Sequence, residues 1–224
     1  MQTLKQSDPI NDFIAVANKH FSVYMDVAHG FKLLNNSAMK RLSEFERTKT
    51  NPHATCHMTF IPKNADIKNM PRTISNEEMQ EKINDSIGYS TPQDIIHRCS
   101  IEGESSALVK RMVISSIYDF WEDYYREKIA RFLELPKPEQ PTDPDARPIP
   151  YKAILAVDAL GDIRHFRNSI VHHHGYAYEQ ISEARVFKWF QHGEEINFTY
   201  DQMVTIKKYI NEELRNDCLP MKSL

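Results

Sequence analysis

Two arginines, an asparagine and four histidines fall within residues 164–175, RHFRNSIVHHHG, with the apolar Phe166, Ile170 and Val171 running among them. A guanidinium grips a phosphate through a rigid fork of donors. An imidazole is the side chain whose unperturbed pKa lets it exchange protons near neutral pH. Together they are a minimal kit for cutting a phosphodiester without a metal. On a helix, Asn168 and His172 share a face one turn apart, Arg164 stacks below Asn168, and Arg164 and Arg167 are also one turn apart. Arg167 and His172 are five positions apart and point about 140° from each other. One helix therefore need not bring them together, and a second copy of the helix is expected to supply the missing side.

Other polar residues have plainer readings. Adjacent histidines on a helix point apart, and no carboxylate or cysteine stands at a useful spacing from His165, His173 and His174. They are expected to be surface residues near a helix C-terminus, where partial positive charge is favourable, rather than ligands of zinc or nickel. No resident metal or cofactor is expected. Asp158 and Asp162, one turn apart, suggest solvation of the helix or pairing with Arg164 before a magnesium pair. Lys110, Arg111, Arg126, Lys128 and Arg131 read as a solvated face, with guidance of RNA as the alternative. Cys56-His57 lies in a proline-bounded loop with nothing to activate the thiol.

The elements that must position this kit are mostly helical, as 6 glycines in 224 residues and little strict alternation imply. Asp8-Pro9 caps a first helix whose stripe runs Ile10, Phe13, Ile14, Ala17, Phe21, Tyr24, Ala28 and Phe31. It can continue through Ala38, Leu42 and Phe45, with Gly30 as a weak point. Residues 49–73 read as irregular, with Met58-Thr59-Phe60-Ile61 as a short extended piece. Short helices are predicted from Ser75 to about Ile87 and from Thr91-Pro92. A long helix over Ser105–Leu135 carries Val109, Val113, Ile117, Trp121, Tyr125, Ile129 and Phe132, a face suited to a core or a dimer seam rather than to base stacking. Residues 136–150 hold six of the twelve prolines and form a stiff surface loop. A second strong helix is predicted from Tyr151 toward His173, ending in a left-handed turn at Gly175. A small β-hairpin over residues 185–199 and a last helix from Thr199 or Asp201, with Met203, Ile206, Tyr209, Ile210 and Leu214 on one side, complete the chain.

Bulk properties narrow the function. A net charge of -3 and a pI near 6.4 exclude a broad basic coat for nucleic acid but leave room for a local cationic site. Three scattered cysteines, Cys56, Cys99 and Cys218, form no C-x-x-C pair and suit a reducing compartment. No signal-peptide core or membrane-length apolar run is evident. The expectation is a soluble cytoplasmic protein without membrane contact.

Arg167-Asn168, three residues, then His172 resembles the R-N-x-x-x-H signature of the HEPN superfamily. The aromatic helix Ile117-Tyr118-Asp119-Phe120-Trp121-Glu122-Asp123-Tyr124 and the apolar helix ending in His-His-His-Gly resemble the flanks of that motif. The resemblance covers residues 105–216, with the proline-rich loop 136–150 inside it. Residues 1–104 are expected to add helices and a loop to the same single domain, 1–224. The resemblance implies an all-α bundle of HEPN type that forms a homodimer through its motif helices. It also implies one of two functions. The first is a metal-independent endoribonuclease of a toxin–antitoxin, defence or RNA-processing system, with RNA as substrate and a cognate antitoxin or regulatory protein as partner. The second is a non-catalytic module that dimerises or binds RNA, nucleotide or protein. For the enzyme, Arg167, Asn168 and His172 would be catalytic, and Arg164 and His173 would contact RNA. In the subset paired with a nucleotidyltransferase, a modified tyrosine follows the histidine by two positions. Here that position is His174, with Tyr176 two further on, so the chain departs from that subset.

Overall fold

The computed structural model describes residues 8–48, 92–136 and 155–218. All regular structure in them is helical: α1 (Pro9–Thr48), α2 (Pro92–Arg98), α3 (Glu104–Phe120), α4 (Arg126–Phe132), α5 (Asp158–His172) and α6 (Tyr200–Glu213). The expectations for Met58–Ile61, the helix from Ser75, most of the proline-rich loop, Cys56-His57 and residues 151–154 fall outside the described residues. No described helix is long and apolar enough to cross a membrane.

The chain forms two compact units, residues 1–27 with 107–224, and residues 28–106. In the smaller unit, Ala38 of α1 and Ile95 and Cys99 at α2 form a buried cluster, with Phe31, Leu34 and Ile96 packed on it. Asn35 Nδ2 donates to the Ile96 carbonyl at 2.9 Å.

The larger unit holds the motif helix. Asp8 Oδ1 accepts from the Ile10 N–H at 3.0 Å, supplying an acceptor that the first turn of a helix otherwise lacks. Ile10, Phe13, Ile14, Ala17, Phe21 and Tyr24 are buried as their spacing requires, and Gly30 does not break α1. Phe13 lies 5.3 Å from both Trp121 and Tyr125, ring to ring.

Helices α3 and α4 form one rod through a π turn, Trp121–Tyr125. The cadence Val113, Ile117, Trp121, Tyr125, Ile129, Leu133 steps by four throughout. In a helix of 3.6 residues per turn each such step drifts by about 40°. A turn that holds more residues takes up part of that drift and keeps Trp121 and Ile129 in the core, both 0% exposed.

Helix α5 begins at Asp158 rather than near Tyr151. Residues 155–157 are not helical, and the cap residue Val157 is extended, with φ -123° and ψ 113°. A valine has no side-chain acceptor, so Glu213 of α6 supplies one, Oε2 accepting from the Ala159 N–H at 2.9 Å. At α6, Thr199 and Gln202 form a reciprocal capping box, and Met203, Ile206, Ile210 and Leu214 are fully buried.

The hairpin predicted over residues 185–199 does not form. Among the described residues there is no strand, and the one isolated bridge pairs Tyr176 with Glu195. The ladder groups are used elsewhere. Asp162, 2% exposed, accepts the N–H groups of Arg185 at 2.8 Å and of Val186 and Phe187 at 2.7 Å each. Lys110 Nζ donates to the Phe198 carbonyl at 2.6 Å, and Arg111 Nε to the Ile196 carbonyl at 2.7 Å. Phe187, Trp189, Phe190 and Phe198 all turn their rings onto Phe166 of α5. Apolar rings on one side and charged clamps on the backbone replace a ladder.

These contacts correct two expectations. Lys110 is fully buried and Arg126 nearly so, so the basic residues of the long rod are not one solvated face. Arg126 pairs with Glu122 at 2.5 Å and lies over the Trp121 ring. Lys128, over the Tyr124 ring, and Arg131, paired with Glu127, remain at the surface. Asp162 neither solvates α5 nor pairs with Arg164; it is a buried anchor for residues 185–187. Its neighbour Asp158 pairs with Arg185 at 2.9 Å.

Candidate functional site

Helix α5 ends against the 174–178 turn. His174 and Gly175 both have positive φ, 55° and 87°, so the left-handed turn begins one residue before the glycine. The Gly175 N–H donates to the Ser169 carbonyl at 3.0 Å, and the His173 N–H shares that acceptor at 3.2 Å. A Cβ on Gly175 would meet Arg111 Nη1 at 2.8 Å, so the position needs glycine both for its φ and for the approach of Arg111.

At this helix end Arg167 and His172 touch. Arg167 Nη1 donates to His172 Nε2 at 2.9 Å. The 140° divergence governs where the side chains leave the helix, not where a long guanidinium arm ends, and His172 is the last residue of α5. The expectation that one helix need not join them is therefore corrected: the pair assembles within a single chain. A guanidinium has only donors, so the contact requires a lone pair on Nε2 and places the neutral ring's proton on Nδ1.

Behind Arg167 stands Asp119 of α3, whose Oδ1 accepts from Arg167 Nε at 3.1 Å. This holds one edge of the guanidinium and directs the other toward His172. Asp119 was not among the sequence candidates. Its only signal is a carboxylate within an aromatic-rich helix. Asn168 is half-buried one turn before His172, and among the described residues its amide has no hydrogen-bond partner.

His172, His173, His174 and His192 line an open cleft of about 510 Å³ with Tyr176 and Tyr178. The His173 ring stacks on Tyr178 at 4.9 Å with 14° between planes. Among the described residues no three His, Cys, Asp or Glu side chains are grouped so as to hold a metal ion.

Arg164 is not brought to this group. It lines a different cleft, with Arg126, His165 and Arg185. His165 is 4% exposed, so it is not the surface histidine that its neighbours suggest. Its Nδ1 lies 2.8 Å from the Tyr178 hydroxyl, and its Nε2 makes a long 3.5 Å contact with Arg164 Nη2. Burial, and next the Arg164 charge, push its pKa down and favour the neutral ring. Tyr118 of α3 has its pKa pushed up to about 12 by burial and by Glu122, whose carboxylate accepts its hydroxyl hydrogen at 3.1 Å.

Comparison with protein-family models, curated proteins and solved structures returned no match.

Proposed function

We propose that the chain is a metal-independent endoribonuclease of HEPN type, centred on Arg167 and His172. The observation that carries the reading is the 2.9 Å contact between Arg167 Nη1 and His172 Nε2, with Asp119 holding the guanidinium from behind. Phosphate recognition needs a cation, and proton transfer needs an imidazole with a free lone pair within hydrogen-bond reach of the substrate. Here the two are adjacent, at the edge of an exposed cleft. A phosphate arriving at Arg167 would displace the imidazole from it and leave Nε2 beside the ribose.

In this mechanism His172 Nε2 takes the proton of the 2′-hydroxyl, and the 2′-oxygen attacks the adjacent phosphorus. The bond to the 5′-oxygen breaks, and that oxygen takes up a proton. The products carry a 2′,3′-cyclic phosphate and a 5′-hydroxyl, and DNA, lacking the 2′-hydroxyl, resists. Arg167 stabilises the charge on the pentacovalent phosphorane. Asn168, whose amide has no partner among the described residues, binds a phosphate oxygen or fixes the imidazole. His173, stacked on Tyr178, extends an aromatic surface for a base. A homodimer through α5 would supply a second acid or base for the leaving oxygen, and its support is the sequence resemblance, since the spacing argument for a second copy no longer holds.

The test is incubation of the pure protein with mixed RNA in EDTA, followed by analysis of fragment ends. Cyclic phosphate ends that vanish in His172→Ala are the expected result. A His172→Ala protein that cuts as fast as the parent would refute the assignment. Intact RNA with the parent protein would turn the reading to a non-catalytic binding module.

A further inference from the structure

A second cleft, of about 580 Å³, opens beside the first half of α5, away from His172. Arg126, Arg164 and Arg185 all line it, and so does Gly161. The state of these charges is informative. Arg185 is committed to Asp158. Asp162, also in the wall, has its oxygens taken by three backbone N–H groups. Arg164 has no carboxylate within ion-pairing distance among the described residues; its one polar contact is the long one to His165. Arg126 is 7% exposed and its Nη1 is paired with Glu122, yet its Nε has no hydrogen-bond partner among the described residues. Its pKa is lowered first by burial, with the Arg164 charge adding in the same direction against Glu122 and Tyr118. Two guanidinium groups thus share a partly closed space, one buried and paired with Glu122 but with an idle Nε, the other without a counter-ion among the described residues. A buried idle donor costs free energy unless a ligand meets it.

Gly161 adds an independent observation. It lies inside α5, where glycine is disfavoured relative to alanine, and a Cβ built there meets nothing within 4 Å. Neither a left-handed φ nor a close approach requires glycine here. What its absent side chain provides is open floor in the cleft.

We propose that this cleft is a binding site for a phosphomonoester of nucleotide size, with the phosphate between Arg126 and Arg164 over Gly161. Bidentate arginine recognition suits a phosphate dianion. The volume lies within the range of about 300–1,000 Å³ usual for small-molecule sites, more than an isolated phosphate occupies, and the buried Leu155 and Val157 give an apolar wall for the remainder. Glu183, also in the wall, opposes the anion. The source is either a free nucleotide or the terminal phosphate of an RNA. The site does not depend on the ribonuclease reading.

The test is calorimetric titration of the full chain with adenosine 5′-monophosphate, adenosine, and RNA octamers with a 5′-phosphate or a 5′-hydroxyl. The monophosphate is expected to bind and adenosine not. Gly161→Leu, which fills the floor without removing a charge, should weaken the monophosphate at least tenfold with Tm held or raised. Arg126→Gln should weaken it at least tenfold too, with a lower Tm because its Glu122 pair is lost, and Arg185→Glu, at the exposed rim, serves if Arg126→Gln does not fold. Glu183→Gln should tighten binding two- to threefold. His172→Ala should leave affinity unchanged, which separates this site from the Arg167–His172 pair. Preference for the 5′-phosphorylated octamer over the 5′-hydroxyl one identifies an RNA end, and binding of the mononucleotide alone identifies a free nucleotide; both uphold the site. Equal binding of adenosine and its monophosphate, an affinity untouched by Gly161→Leu and Arg185→Glu, or a loss specific to His172→Ala would each overturn it.

Discussion

Asp162→Ala isolates the device that holds the 185–199 segment to α5. The carboxylate is 2% exposed and accepts three backbone N–H groups at 2.7–2.8 Å. Hydrogen bonds to an ionised acceptor are roughly twice as strong as neutral ones, and leaving a buried donor unmet costs about 1–3 kcal/mol. The three donors do not lose equally. The Phe187 N–H lies beside a ring that is 1% exposed and loses its partner outright, while Arg185 is exposed and its N–H can be rehydrated. One full penalty and one or two partial ones give a destabilisation of about 3 kcal/mol. Asp162→Asn keeps one acceptor oxygen but turns amide hydrogens toward donors, so it should recover no more than about 1 kcal/mol of that loss. Urea unfolding followed by tryptophan fluorescence is the assay, because Trp189 packs 4.7 Å from Phe187 and 6.2 Å from Phe166. A loss below about 1 kcal/mol with an unchanged denaturant slope would refute the view that these bonds, rather than the aromatic cluster alone, fix the segment.

Two further outcomes follow from the same geometry, beside the RNA-cleavage and nucleotide-binding tests above. Asp119→Asn should lower RNA cleavage about tenfold by freeing the Arg167 guanidinium, while changing stability by less than about 1 kcal/mol, since the pair is 26% and 47% exposed; equal falls in stability and activity would make Asp119 structural instead. His165 has a folded pKa below its unfolded value, so the unfolded chain binds the extra proton as pH falls below about 6.5 and stability declines toward acid. Stability measured from pH 7.5 to 5.5 should fall more steeply in the parent than in His165→Gln, and parallel curves would show that His165 does not contribute.

What could be read from the sequence follows from which forces are local. Caps and stripes are local, so Asp8, Thr199 as one of two starts for α6, and the faces of α1, α3 and α6 were legible. The π turn was not: the stretch reads as one ordinary helix, although a four-residue cadence drifts by about 40° at each step. The fate of a charged residue depends instead on what another segment brings to it. Lys110 and Arg111 look like a solvated pair until the carbonyls of Phe198 and Ile196, over eighty residues away, need donors. The hairpin failed for the same reason: its alternation is real, but its N–H groups at 185–187 were claimed by Asp162, a residue that reads as helix surface. At the candidate site, angular arithmetic placed the Cβ atoms of Arg167 and His172 and said nothing about the reach of an arginine at a helix end. Asp119 completes that argument. A guanidinium free to wander would meet the imidazole only occasionally, and a carboxylate on the neighbouring rod restricts it to the orientation in which the two groups meet. The contact thus needs three residues from two helices, and only two of them lie in the motif.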